Sequence, residues 1–213
     1  MEAIRPNTNR HSGLSRYKPE ACTYLEAPVR TAIALLLGVW LAGTLLLGGV
    51  ASENFFMIDH LLAPGSHRSF QRDAAQLGPA EARVMLRYVS SELNRFYFNV
   101  WGWFELVLGA LLLLLAAQRL KQRSITIGFS AMLAIVAVML FYITPRIVDV
   151  GRSLDFVPRD PPPPSLAQFG ILHAAYSILD LGKLAIGIWL AVVLVRSERS
   201  AVEPSRPSTG SGP

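Results

Sequence analysis

Four long apolar runs constrain this chain more than any other feature. "TAIALLLGVWLAGTLLLGGVAS" follows Arg30, "FYFNVWGWFELVLGALLLLLAAQ" follows Arg95, "SITIGFSAMLAIVAVMLFYITP" follows Arg123, and "FGILHAAYSILDLGKLAIGIWLAVVLV" precedes Arg196. Each reaches the ~20 residues that a helix needs to cross the hydrocarbon core of a bilayer. No water is available there to bond exposed N–H and C=O groups, so helices, which satisfy them internally, are the expected form. The reading is an all-α, polytopic membrane protein. It is a bundle of four transmembrane helices over about residues 30–52, 96–118, 124–145 and 170–195, within a membrane domain 29–196. Charged residues make up 16% of the 213, below the ~25% usual for soluble domains.

The first run is too long for a signal-peptide core, follows a polar stretch and ends at no clean small-residue cleavage site, so it is expected to stay as a span. Segments 1–28 and 197–213, the latter ending "EPSRPSTGSGP", read as disordered tails. The connection "RLKQRS" carries Arg119, Lys121 and Arg123 in a very short loop, and such loops stay on the cytoplasmic side. By alternation both tails are cytoplasmic and the two longer loops face outward. In the first of these, Gly78-Pro79 precedes "AEARVMLRYVSSELNR", where Met85, Val89 and Leu93 recur every four residues. That pattern predicts an amphipathic helix running on into the second span. "VPRDPPPPSLAQ" in the second loop reads as an extended spacer. The net charge of +5 sits at span ends, where it marks topology and contacts the lipid bilayer rather than nucleic acid. With Cys22 the one cysteine, no intramolecular disulfide can form.

Ionisable residues inside a span cost roughly 2.5–3.5 kcal/mol on insertion scales and so face the bundle interior, pair or are neutralised. Three qualify here: Glu105, Asp180 and Lys183. Glu105 lies about ten residues in from Phe96 and Asp180 about ten in from Gly170, so their depths match. His173, Tyr176, Asp180, Lys183 and Gly187 form one helical stripe, with Ile178, Leu181, Ala185 and Ile188 opposite. On the second span Gly102, Glu105 and Gly109 share a side, with Asn99 nearer the outside, and the glycines permit close helix approach. The expected polar seam is Asn99, Glu105, His173, Tyr176, Asp180 and Lys183. An outer-face cluster of Glu53, Asn54, Asp59, His60, Glu92, Asn94, Arg95, Arg146 and Asp149 leads down to it.

Two readings of the three charges stand side by side. They form a buried ion-paired triad that fixes which helices pack, or they are the inner end of an outward-open site or proton-coupled relay. Met57 and His60 at i, i+3, with His173 at the same level, would suit copper. This makes a haem- or copper-binding redox or transport protein the alternative, although no cofactor or metal site is assigned. The four tryptophans, Trp40, Trp101, Trp103 and Trp189, read as packing and interfacial anchors. No nucleophile–base arrangement or phosphate-binding glycine loop is present, and an enzyme is not expected.

Segments "LLLGVWLAGTLLLGGVASENFF", "ELNRFYFNVWGWFELVLGALLLL", "YITPRIVD" and "FGILHAAYSILDLGKLAIGIWL" carry a further observation. Over about residues 30–195 the chain resembles the small four-helix membrane proteins grouped as domain of unknown function 4149, similar to transmembrane protein 205. The resemblance implies the four-span fold, a bacterial inner membrane, and polar positions at Asn94, Arg95, Glu105, Pro145, His173 and Asp180. It implies no settled activity, and it does not extend to the tails or to "DFVPRDPPPPSLAQ". A more distant likeness to copper-resistance membrane subunits and haem-handling four-helix proteins lacks a histidine deep in the first span. The functional expectation is small-solute or proton handling, or assembly with a membrane partner or a second copy.

Overall fold

The computed structural model describes residues 21–158 and 160–202, and the remainder of both tails lies outside them. Every regular element among the described residues is helical. These are α1 (Ala21–Leu62), α2 (Arg68–Leu77), α3 (Pro79–Leu115), α4 (Arg123–Val138), α5 (Thr144–Ser153) and α6 (Pro164–Val202), with π-turns at Ala116–Leu120 and Met139–Ile143. Four helical units, Pro28–Leu62, Pro79–Leu120, Arg123–Ser153 and Pro164–Arg196, are long and apolar enough to cross a membrane. The chain is an integral, multi-pass membrane protein with an all-α four-helix bundle.

The helices outrun the apolar segments. α1 continues past residue 52 to Leu62 and stops before Pro64-Gly65, where Gly65 takes φ 88°. Its other end begins at Ala21, inside the segment expected to be tail. The amphipathic helix of the first long loop and the second span are one unbroken helix, α3, with Pro79 in its first turn. A further short helix, α2, precedes it, and Gly78 at φ 92° makes the corner between them. The Met85, Val89 and Leu93 stripe faces outward, because small side chains at Ala82 and Ser90 form the packed face of this half of α3. In the third unit the π-turn at Met139–Ile143 comes just before Pro145, which has no N–H to continue the α-helical ladder. Thr144 N–H bonds Met139 C=O instead.

The four units form a closed ring in which α1 packs on α3 and α6, and α4 packs on the same two. α3 and α6 therefore face each other across a diagonal. The end carrying α2 is called here the α2 end. The other, where Lys121 turns the chain at φ 49°, is the Lys121 end. Toward the Lys121 end the interior is apolar, with Ile33, Leu37, Leu112, Ile125, Phe129, Met132 and Leu190 inaccessible to solvent. Glycines set the helix spacing. A Cβ on Gly43 of α1 would lie 2.1 Å from the Trp101 ring of α3, one on Gly109 2.8 Å from Trp40, and one on Gly102 2.9 Å from Leu140.

Replacing Gly43 with leucine should lower the thermal unfolding midpoint in detergent, since overpacking costs about 1–3 kcal/mol. Gly38→Leu, where an added Cβ meets nothing within 4 Å, should leave it unchanged. Equal midpoints for the two variants would contradict the described α1–α3 approach.

Candidate functional site

Glu105 lies at the centre of the ring, 2% exposed, and all its polar contacts fall on one oxygen. From α1, Trp40 Nε1 donates to Oε1 at 2.7 Å and Thr44 Oγ1 donates at 3.0 Å. From α6, Lys183 Nζ donates to the same atom. Lys183 is itself 1% exposed and is held on its other side by Asp180 Oδ1 at 2.8 Å. The three costly charges are thus one group, with lysine in the middle. Asp180 keeps 27% of its side chain exposed. Glu105 and Lys183 are fully enclosed and mutually paired, as buried charges must be to persist.

The α6 stripe grades along its length. His173 is exposed, Tyr176 and Asp180 are half-buried, and Lys183 and Gly187 are buried. Opposite them Ile178, Leu181 and Ile188 are exposed, as expected of a lipid-facing side. His173 stacks on Phe169 with ring centroids 6.0 Å apart. Tyr176 meets Phe98 of α3 edge-on at 5.4 Å, one turn toward the α2 end from Asp180. Asn99 is not in this seam. It sits on an exposed face of α3.

The expected outer-face cluster divides into separate pieces. Asn54 Nδ2 donates to Asn94 Oδ1 at 2.7 Å, and Asn94 Nδ2 to the Ala51 carbonyl at 3.0 Å, which ties α1 to α3. Arg95 grips Asp155 with two bonds of 2.9 and 3.1 Å and Glu92 with one of 2.5 Å. Asp59 pairs with Arg83 at 2.5 Å on the surface. Arg146 lies 4.0 Å over the Tyr142 ring. Glu53, His60 and Asp149 are exposed.

Between these pieces is a cavity of about 550 Å³ at the α2 end. One wall is a single stripe of α3 that runs from Ala80 through Val84, Tyr88 and Ser91 to Phe98. α5 and the following turn contribute Ile147, Val148, Leu154 and Phe156, while α6 contributes Phe169, His173 and Tyr176. The turn is fastened across α3 at two points: Asp155 to Arg95, and the Phe156 ring 4.9 Å from Tyr88. Phe156 takes φ 61° here. The volume falls in the range of small-molecule sites, roughly 300–1,000 Å³, and the lining is mainly apolar with a few polar groups, as such sites are. Tyr176 and Phe98 close the floor, so the Asp180–Lys183–Glu105 group lies just beyond it.

Three functional residues escaped the sequence reading. Trp40 and Thr44, at i and i+4, present the two donors to Glu105, and that spacing next to a buried carboxylate was the available signal. Asp155 carried no signal, being one acid in an aperiodic loop. Among the described residues no group of three or more His, Cys, Asp and Glu side chains is placed to hold a metal. Met57 and His60 are both exposed, so the haem or copper alternative finds no assembled donor set there. Comparison with protein-family models, with curated proteins and with solved structures gives no match.

Lys183→Met leaves the Glu105 charge buried and unpaired, so it should destabilise the bundle by about 3–5 kcal/mol. Adding Glu105→Gln removes that charge and keeps an oxygen for Trp40 and Thr44. The double variant should therefore recover most of the loss in thermal or steric-trapping measurements. A double variant no more stable than Lys183→Met would show that the pair is not the coupled unit described.

Proposed function

We propose that this protein binds a small molecule in the cavity at its α2 end, and that the Glu105–Lys183 pair is the anchor holding the helices around it. The observation that carries the reading is the cavity itself, lined by α3, α5 and its following turn, α6 and Phe55 of α1, with Tyr176 and Phe98 at its floor. The anchor role is supported by the satisfaction of Glu105: three donors from two other helices converge on one oxygen. Proton handling by the triad is less well supported, because the aromatic pair stands between Asp180 and the cavity. Membership of the domain-of-unknown-function-4149 group is part of the proposal, supported by the quoted segments alone.

The proposed orientation places the α2 end outside and both termini in the cytoplasm of a bacterial cell with the chain in its inner membrane. The basic turn around Arg119, Lys121 and Arg123 supports it. In a Cys22→Ser background, a membrane-impermeant thiol reagent should label His67→Cys in intact cells. It should reach Gln122→Cys only after lysis, and the reverse pattern would invert the topology.

For binding, native mass spectrometry of the full chain should detect a retained small molecule. Val148→Trp, which fills the cavity, should lose it. Ala80→Trp at the exposed rim should weaken retention without disturbing the fold. Equal retention by the parent and both variants would place the ligand elsewhere, and no retained or exchangeable ligand under any condition would remove the reading.

A further inference from the structure

Besides its histidine and tyrosines, the cavity at the α2 end has four ionisable side chains on its walls: Arg83, Arg87, Arg95 and Asp155. The protein itself occupies each of them. Arg95 and Asp155 hold each other through two bonds, and Arg95 also takes Glu92. Arg83 is paired with Asp59 of α1 at 2.5 Å, and Arg87 has an interaction of its own. Counting these carboxylates, three arginines stand with three acids, and the surroundings of the cavity are electrically balanced. A charged ligand would have to break one of the pairs or set its own charge against mainly apolar walls. An unpaired charge out of water is expensive, so the walls select against charge.

What they offer instead is rings. Phe55 comes from α1, Tyr88 and Phe98 from α3, Phe156 from the turn after α5, and Phe169 and Tyr176 from α6. Ring faces and edges favour a further ring at centroid distances of roughly 4.5–7 Å. Tyr88 and Phe156 already meet so at 4.9 Å, as do Phe98 and Tyr176 at 5.4 Å. The uncommitted polar atoms lie at the floor. Tyr176 and His173, one turn apart on α6, engage Phe98 and Phe169 through their rings, and neither side chain is hydrogen-bonded within the described residues. A phenol O–H donates to a neutral acceptor. A carbonyl is such an acceptor and brings no donor that would need a partner among apolar walls.

Resting on the reading that this cavity is a ligand site, we propose that its occupant is an uncharged aromatic carbonyl compound. Its rings lie among the ring side chains of the four elements, and its carbonyl oxygen accepts from the Tyr176 hydroxyl at the floor.

The test uses the full chain in phosphatidylcholine nanodiscs with benzophenone, a neutral diaryl ketone that inserts into neighbouring C–H bonds on illumination. Peptide mapping should place adducts on residues 84–98, 154–157 and 169–176, and Val148→Trp should abolish them. Methyl 4-benzoylbenzoate, which keeps the ketone and has no charge, should compete as unlabelled ligand. The anion 4-benzoylbenzoate should compete at least tenfold less well. Diphenylmethane, two rings without the carbonyl, should compete about fivefold less well, the worth of one hydrogen bond. Tyr176→Phe, which keeps the ring against Phe98, should weaken benzophenone by a similar factor and leave diphenylmethane unchanged. Adducts spread evenly over lipid-facing Leu35, Ile178 and Ile188 would mean bilayer partition only and would overturn the proposal. Equal competition by ester and anion would overturn the uncharged class, and equal competition by diphenylmethane would overturn the carbonyl contact. If the cavity takes no diaryl ketone while Val148→Trp still expels a retained solute of another kind, the aromatic class fails and the cavity reading stands. If neither binds, both fail.

Discussion

Lys183 reaching Glu105 across the bundle diagonal is the interaction on which the rest of the structure depends. In lipid, apolar faces gain little from leaving hydrocarbon for one another, so van der Waals fit and polar bonds select the packing. α3 and α6 are not neighbours in the ring, and α1 and α4 each touch both. A lysine is long enough to cross that gap, and the carboxylate it meets also receives Trp40 and Thr44 from α1. One oxygen therefore sets the rotation of three helices at once. Taking such a pair out of water costs several kcal/mol per ion. What offsets the cost is the full set of bonds, with Asp180 holding the far side of the ammonium.

The pair also divides the bundle interior. Toward the Lys121 end the centre fills with Leu37, Leu112, Phe129, Met132 and Leu190. Toward the α2 end a cavity lies between α3, α5 with its following turn, and α6. The third unit changes there from α4 through a π-turn to α5, and the chain then turns back through Leu154 to Pro158. That turn is tied to α3 by Arg95–Asp155 and Tyr88–Phe156. The clamps bind α3 to the turn rather than to α6, and the cavity lies between the turn, α3 and α6.

The parts legible in the sequence were those with a large energetic signature. Four apolar runs gave the four spans, because the bilayer admits few alternatives to a helix. Glu105, Asp180 and Lys183 stood out through the expense of charge in hydrocarbon, and their shared depth put them together correctly. Hydropathy reports the thickness of the membrane, however, and not the length of a helix. α1 and α3 run well past their apolar segments, and residues there sit on helix faces that their membrane level alone does not reveal. Glu53 and Asp149 lie near the level of Arg95 yet stay exposed, as do His60 further toward the α2 end and Asn99 one turn below Arg95. Thr44 and Trp40 were unremarkable inside a greasy run, since a hydroxyl or indole costs far less than a charge. Asp155 depended on a turn whose path no local pattern encodes.

The stacking of cavity on anchor has a mechanical consequence. A cavity removes packing from its lining, and lost contacts are what destabilise a core. Here the loss falls above the Tyr176–Phe98 floor, while the bonds to Glu105 lie beneath it. The helices are fixed relative to one another below the cavity by the bonds that meet on Glu105. Substitutions at the cavity and at the anchor should then act on different quantities: the proposed binding for the first, stability of the bundle for the second. That separation is the physical content of calling one a site and the other an anchor, and it ties both to the stripe running from His173 to Gly187 on α6.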